Sequence, residues 1–358
     1  MSAPVDPDSS QSDAWKGTSD EELESFIESR KSLIKVFGVG GGGSNTVDRL
    51  FREKLEGVDL IACNTDARHL RTKRANYKIV LGVNLTRGLG AGTDPRTGEA
   101  AALESENEIL EYARGTEIAF VVTGLGGGTG TGAAPVIAKI LKEHGALTIG
   151  VATLPFRAEG EERKKNAAAG FRKLRDSLDT MIVVPNDKLR ELNPDLPLKK
   201  GFEKSDEIVI QAIRSIIEII RRVGKINLDY NDLKEIVRNS REAVIGVGVA
   251  QGEAGTRARE AAHAAMNSPF LSADLSQASG VIVTVTGGSD LEKNEPSDAV
   301  NEIKRNVSRK TRILMGLRID DSFVGTLQVT VVIAGVSYTE TRGFEQSGEP
   351  KSSVDLIK

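Results

Sequence analysis

The nine residues Gly124-Leu-Gly-Gly-Gly-Thr-Gly-Thr-Gly132 hold six glycines and two hydroxyls between two apolar runs. Glycines remove the Cβ atoms that would hold an anion at a distance, and they permit the left-handed backbone angles of an anion nest. Gly127, Gly128, Gly130 and Gly132 are therefore candidate phosphate ligands through their N–H groups, and Thr129 and Thr131 add hydroxyls without bulk. The elements that must position them flank the loop directly. Ile118-Ala-Phe-Val-Val122 is short, apolar and partly β-branched, which predicts a buried parallel strand. Ala133 to Leu141 predicts a helix, with Pro135 in its first turn, where a missing N–H costs nothing. Strand, glycine loop and helix together aim backbone N–H groups and a positive helix end at an anion. A flexible surface loop is the plain alternative, and the core-grade flanks favour phosphate binding over it.

Two further loops have the same construction. Ser32-Leu-Ile-Lys-Val-Phe37 predicts a strand that runs into Gly38-Val-Gly-Gly-Gly-Gly-Ser-Asn45, followed by a helix from about Asn45 with Val47, Leu50 and Phe51 on one side. Gly38, Gly40 and Gly43 satisfy the spaced-glycine dinucleotide pattern, which alone is a weak signal. A second strand, Leu60 to Cys63, ends at Asn64-Thr-Asp66. An acid at about 20 positions past the first glycine loop suits the ribose site of a Rossmann unit, so a nicotinamide-dependent oxidoreductase stands as a rival reading. Strand Lys78 to Leu81 leads to the third loop, Gly88-Leu-Gly-Ala-Gly-Thr-Asp-Pro95, and Pro95 begins a long helix through Arg114. In one α/β sheet all three loops would meet at the carboxyl edge, where ligands bind. The P-loop lysine motif is absent, so the phosphates are expected to be held without it.

The remaining chain predicts a strand at Ala146 to Thr153, a charged helix over 160–177 and a last strand of this half at Met181 to Val184. Ser205 reads as a cap, with Asp206 and Glu207 in the first turn of the helix it opens. The run from Ile208 to Ile220 is apolar around most of a helix, so that helix must be buried on several sides and connect two domains. Gly224 ends it. Strands follow at Ala243 to Ala250, Gly280 to Thr286, Thr311 to Ile319 and Thr326 to Val336, with helices near 256–266 and 297–308. The expected organisation is an N-terminal extension with a short amphipathic helix (1–32), a Rossmann-like nucleotide-binding domain (33–204), a central helix (205–224), an acidic loop and short helix (225–240), a second, smaller α/β domain (241–338) and a flexible tail (339–358).

Composition narrows the function classes. At 358 residues with 39% hydrophobic and 4% aromatic content, the chain has a full but aliphatic core. A net charge of −3 argues against nucleic acid as a bulk electrostatic partner. Cys63 is the only cysteine, which excludes an internal disulfide, and it reads as a small buried hydrophobe. The histidines His69, His144 and His263 lack metal-ligand spacing, so no protein metal site is expected. No apolar run approaches the ~20 residues of a membrane span. The first residues lack a basic-then-apolar pattern, so no secretory signal is expected and the cytoplasm is the expected compartment.

Gly126-Gly-Gly-Thr-Gly-Thr-Gly132 resembles the signature loop of the tubulin/FtsZ family. The likeness continues in order through Gly38 to Asn45, Asn64-Thr-Asp66, Pro155-Phe156 with Glu159-Gly160 and Arg163, and Asn227-Leu-Asp-Tyr-Asn-Asp232. It covers roughly residues 33–336, leans toward archaeal members, and departs at Ser44, where many members carry another glycine. The resemblance implies a GTPase that polymerises head to tail into the cell-division ring, with GTP/GDP and Mg²⁺ bound. Gly41, Gly42, Gly43, Ser44 and Asn45 would hold the α- and β-phosphates. Ala91, Gly92 and Thr93 would lie on the γ-phosphate side, and Gly130, Thr131 and Gly132 on the opposite flank. Asn64 and Asp66 would belong to the same pocket, Glu159 and Arg163 would face the ribose, and Phe202 would lie near the base. Asp206 would bind the guanine edge; a carboxylate accepts from both N1–H and N2–H₂, a donor pair that adenine lacks. As a first-turn acid it would equally satisfy the helix dipole. Asn227, Asp229 and Asp232 would reach the nucleotide of a neighbouring copy and orient the attacking water. The implied partners are further copies of the chain, with division proteins or a membrane tether reached through the tails. A tubulin-like filament for cell shape or DNA segregation is the nearer alternative, and the nicotinamide enzyme the more distant one.

Overall fold

The computed structural model describes Ser19 and residues 33–55, 57–192, 195, 197–221, 230–238, 240–338, 341 and 344. The helix expected over 19–31 beyond Ser19, and Gly224, Asn227 and Asp229, lie outside the described residues; of the tail expected to be flexible over 339–358, Thr341 is buried and Phe344 packs edge-on against Phe171 at 5.7 Å.

The first half alternates strand and helix: β1 (Ile34–Val39), α1 (Gly40–Arg52), β2 (Val58–Asn64), α2 (Ala67–Arg71), β3 (Tyr77–Val80), α3 (Val83–Thr86), α4 (Pro95–Glu104), α5 (Glu106–Ala113), β4 (Ile118–Gly124), α6 (Gly128–Glu143), β5 (Leu147–Leu154), α7 (Glu161–Asp176) and β6 (Thr180–Pro185). Then come α8 (Asp187–Leu192), α9 (Leu198–Arg221) and α10 (Tyr230–Val237). The second half contains β7 (Arg241–Gln251), α11 (Arg257–Met266), β8 (Gly280–Gly287), α12 (Glu295–Lys304), β9 (Arg312–Ile319) and β10 (Thr326–Ala334). The strands form one ten-stranded sheet in the order β3-β2-β1-β4-β5-β6-β7-β10-β8-β9. Strands β1 to β6 are parallel throughout, and a short parallel pairing of Thr180–Ile182 with Arg241–Ala243 carries the sheet into the second half. There β10 runs antiparallel to both neighbours.

The core follows from the two faces of this sheet. On one face, Val47 and Leu50 of α1 and the isoleucines of α9 share a single cluster with Val36, Val122 and Val184 of the first half and Ile245, Ile282 and Leu314 of the second. Ile213, Ile216, Ile217 and Ile219 of α9 are almost fully enclosed, and each contributes roughly 1.5–3 kcal/mol of burial free energy. On the other face α4, α5, α6 and α7 cover the parallel strands, with Ile109, Ile137 and Phe171 among the buried side chains. Helices α11 and α12 cover the second half with Ala261 and Ile303.

Several boundaries differ from the sequence expectation. Helix α9 starts at Leu198, with Pro197 offering its carbonyl to Gly201 N–H (2.9 Å), so Ser205 is an interior residue and not a cap. Its hydroxyl instead donates to Asn186 Oδ1 at 2.6 Å. The first turn carries Lys199 and Lys200, the wrong sign for the helix dipole, which is why the acids later in the helix misled. The helix expected from Pro95 to Arg114 breaks at Ser105, whose Oγ accepts from Gly82 N–H at 3.0 Å. Helices α1 and α6 both begin inside their glycine loops, at Gly40 and Gly128, so Pro135 lies in the body of α6. Phe51, next to the last residue of α1, is exposed, although the sequence places it on one side with the buried Val47 and Leu50.

Candidate functional site: a glycine-walled phosphate cradle beside a buried carboxylate

The N-termini of α1 and α6 meet at the carboxyl edge of the sheet, and glycine makes the meeting possible. A Cβ on Gly40, whose φ is +72°, would lie 2.7 Å from Gly130 N. A Cβ on Gly42 would lie 3.3 Å from Gly124 N. The 91–94 segment closes the third side: Gly92 O accepts from Gly128 N–H at 3.1 Å, and a Cβ on Gly128 would strike the carbonyls of Gly92, Ala91 and Asp94. Gly132 is packed against Pro95 O at 1.9 Å from an ideal Cβ. These glycines let backbone approach backbone. In contrast, a Cβ on Gly41, Gly92 or Gly127 would meet nothing within 4 Å. Those three face open space between two helix N-termini, where N–H groups and dipoles favour an anion.

The hydroxyls divide in the same way. Thr129 Oγ1 is paired with Thr65 Oγ1 at 2.7 Å, both buried, which ties the end of β2 to α6. Thr131 Oγ1 accepts from Gly126 N–H at 2.8 Å and closes the loop on itself. Both therefore build the scaffold. Ser44 Oγ is fully buried with no hydrogen-bond partner among the described residues, a state that costs about 1–3 kcal/mol unless something outside the protein satisfies it. Asn45 is half-buried in the same turn. Asn64 bonds His69 through Nδ2 at 3.1 Å and accepts from Asp66 N–H at 3.3 Å. Asp66 caps α2 by accepting from His69 N–H at 2.9 Å, which engages the carboxylate that the dinucleotide reading needed for ribose. Thr93 is exposed and donates to Glu162 Oε1 at 3.2 Å, while Asn166 Nδ2 donates to Thr93 O at 2.8 Å, so α7 holds the third loop. Ala91 is buried in that loop.

On the flank formed by α7 and the start of α9, Glu159 accepts from Phe156 N–H at 2.9 Å and from Arg163 at 2.6 Å. Phe156 is buried and meets the half-open ring of Phe202 edge-on at 5.1 Å. One turn beyond Phe202 comes Asp206, the ninth residue of α9. That position is too deep for the dipole to explain it. Thr46 of α1 donates to Asp206 Oδ1 at 3.4 Å and Arg49 approaches Oδ2 at 3.7 Å. Burial pushes the Asp206 carboxyl up to about 6, against the opposing pull of Arg49 and the Thr46 hydroxyl. Thr46, Arg49, Asn166 and Asn186 were not singled out in the sequence. The first two sit three apart on α1, but no pattern in the chain pairs them with a residue 160 positions away.

Of the three expected catalytic residues only Asp232 is described. It lies on α10, half-exposed, and accepts from Arg312 at 3.0 Å at the amino edge of the sheet. Asp206 and the described end of α9 at Arg221 are separated by about 22 Å of helix, so the sheet and α9 hold Asp232 away from the chain's own cradle. Among the described residues there is no cluster of three or more His, Cys, Asp or Glu able to hold a metal, and no helix long and apolar enough to cross a membrane. Cys63 is buried and its thiol is pushed up by burial.

Comparison with known proteins joins these observations. Residues 33–194 match the model of the Tubulin/FtsZ family, GTPase domain, and residues 241–337 that of the FtsZ family, C-terminal domain. Cell division protein FtsZ 1 of Pyrococcus abyssi is 44% identical over 331 residues, covering 92% of this chain and 88% of its own. That of Archaeoglobus fulgidus is 43% identical over 342 residues, covering 95% and 92%. The structure of an empty FtsZ dimer from M. jannaschii superimposes with a TM-score of 0.84 at 42% identity, covering 90% of this chain and 94% of that one. CetZ1 of Haloferax volcanii shares the fold alone, at 21% identity and a TM-score of 0.74. These matches favour neither the nicotinamide enzyme nor a filament for cell shape or DNA segregation. With both halves matched in order and the relatives covered nearly end to end, the chain belongs to the tubulin/FtsZ family of GTPases, in its FtsZ branch.

Proposed function

We propose that this chain binds GTP in the glycine-walled cradle, hydrolyses it only when a second copy supplies the acids at its opposite end, and so builds head-to-tail filaments for cell division. One observation carries the reading: the cradle with Asp206 and the acid Asp232 lie at opposite ends of α9, beyond reach of each other in one molecule. Gly41, Gly42, Gly43, Ser44 and Asn45 take the α- and β-phosphates through the N-terminus of α1, and the unpartnered Ser44 hydroxyl fits a phosphate oxygen. Ala91, Gly92 and Thr93 take the γ-phosphate side, with Gly127 to Gly132 of α6 opposite. Glu159 and Arg163 face the ribose, Phe202 lies by the base, and the Asp206 carboxylate accepts from guanine N1–H and N2–H₂.

Phosphoryl transfer needs positioning and charge stabilisation more than covalent chemistry. Asn227, Asp229 and Asp232 of the neighbouring copy orient and polarise the attacking water. A bound Mg²⁺ would need no all-protein cage, since phosphate oxygens and water could supply its ligands, and it would supply charge neutralisation during transfer. Contacts of this kind are heterologous and do not close, so they propagate into a filament. The filament operates in the cytoplasm at the division site, with division proteins or a membrane tether engaged through the tails. The test follows phosphate release and light scattering on addition of GTP, with ATP as control, across a dilution series. Turnover per molecule is expected to rise above a threshold concentration; equal turnover in dilute, monomeric protein overturns the reading.

A further inference from the structure

Asp206 is held from outside its own helix. Thr46 Oγ1 donates to Oδ1 at 3.4 Å, and the Arg49 guanidinium stands 3.7 Å from Oδ2. Arg49 is itself anchored, donating to Glu203 O at 2.7 Å and lying 3.6 Å from Glu207. The charged groups acting on Asp206 are thus Arg49 from α1 and Lys73 from the segment after α2, while Glu207 of α9 faces Arg49. Burial drives the carboxyl toward its neutral form, and the Arg49 charge is the largest opposing influence.

The two protonation states present different faces to a purine. An ionised carboxylate accepts twice, which matches guanine N1–H and N2–H₂. A protonated carboxyl offers one O–H donor and one C=O acceptor, which matches adenine N1 and N6–H₂. We propose that Arg49 is a specificity-positioning residue: from the helix that also binds the phosphates, it keeps Asp206 ionised and oriented, so that the base site reads guanine and rejects adenine. Thr46 fixes the carboxylate's orientation and adds a smaller pull than Arg49 toward the ionised form. The inference rests on the proposed reading of Asp206 as the guanine contact.

The experiment measures affinity for GDP and ADP by calorimetry between pH 5.5 and 8.5, using the full chain at concentrations below assembly. Ionisation of the phosphates is common to both ligands, so it cancels in their affinity ratio. In wild-type protein the GDP-to-ADP ratio is expected to fall as pH drops through about 6; a flat ratio overturns the proposal without any variant. Removing an opposite charge at this distance raises an aspartate by about 1–3 pH units, and partial exposure of Arg49 places it low in that range. Arg49→Met should therefore lower GDP affinity about two- to tenfold at pH 7, recover toward wild type by pH 8.5, and gain ADP affinity at low pH. Arg49→Lys should keep most of the wild-type profile, and Thr46→Val should weaken GDP binding and move the profile less than Arg49→Met does. A GDP loss in Arg49→Met that is equal at every pH, with ADP unchanged, refutes the inference. Asp206→Ala separates the two levels. If it leaves guanine preference intact, the base-contact reading itself fails. If it abolishes the preference while Arg49→Met keeps the wild-type pH profile, only the role of Arg49 fails.

Discussion

Replacing two glycines of the cradle by alanine separates structure from binding. Gly132→Ala places a methyl 1.9 Å from Pro95 O and 2.6 Å from Glu99 N, both backbone atoms of α4. Real Cβ atoms essentially never come closer than 3.0 Å, so α4 must withdraw by about 1.1 Å from the helix it packs against. Overpacking of this kind costs typically 1–3 kcal/mol, and the rigid backbone on both sides places this site at the upper end. At about 2–4 °C per kcal/mol for a domain of 150–250 residues, the nucleotide-free protein should lose roughly 6–12 °C in Tm. Gly41→Ala is the converse. Its Cβ meets nothing within 4 Å, and it lies in the first turn of α1. Alanine there is neutral or favourable to the helix by up to about 1 kcal/mol, so Tm without nucleotide should hold or rise. The methyl does occupy the space where a phosphate would sit, and GTP affinity should fall at least tenfold. Thermal unfolding without nucleotide, paired with calorimetric GTP binding, reads both effects. A Gly41→Ala protein that melts early, or one that binds GTP as well as wild type, would refute the division of the glycines into packing and binding positions.

Three further outcomes are expected. Asp232→Ala should bind GTP and assemble while losing turnover. Its ion pair with Arg312 is half-exposed and worth at most about 1 kcal/mol, so unfolding should barely change; persistent turnover removes Asp232 from the mechanism. Because the folded state holds the Asp206 proton more tightly than the unfolded chain, nucleotide-free protein gains stability from this residue as pH falls. The gain is about 1 kcal/mol between pH 7 and 5 and is lost again as pH rises through about 6. Asp206→Asn should remove that slope in denaturant titrations; an unchanged slope assigns it to other groups. Cys63 is buried with its thiol held protonated, so iodoacetamide should modify it only in denaturant, and rapid alkylation of native protein would contradict its place in the core.

The alternation of short apolar runs with glycine loops was legible because buried parallel strands and helix N-termini leave local marks in composition. So β1, β4, β5 and β6, and the meeting of three glycine loops at one sheet edge, follow from the chain read in order. The ends of helices were less legible. Ser205 has the residue type of a cap, yet Pro197 sets the true start of α9, and a continuous helical pattern breaks at Ser105, whose hydroxyl accepts from the distant Gly82 N–H.

Sequence alone determined that this chain forms an α/β fold with anion-seeking loops and an apolar connecting helix, since periodicity and glycine content are properties of neighbouring residues. Tertiary structure decided which glycines pack and which face open space, and that Asp206 is an interior helix residue gripped by Thr46 and Arg49. It also decided that Asp232 lies at the opposite edge from the cradle. Those facts depend on residues far apart in the chain brought within a few ångströms, and side-chain type records no partner until the backbone has placed one there.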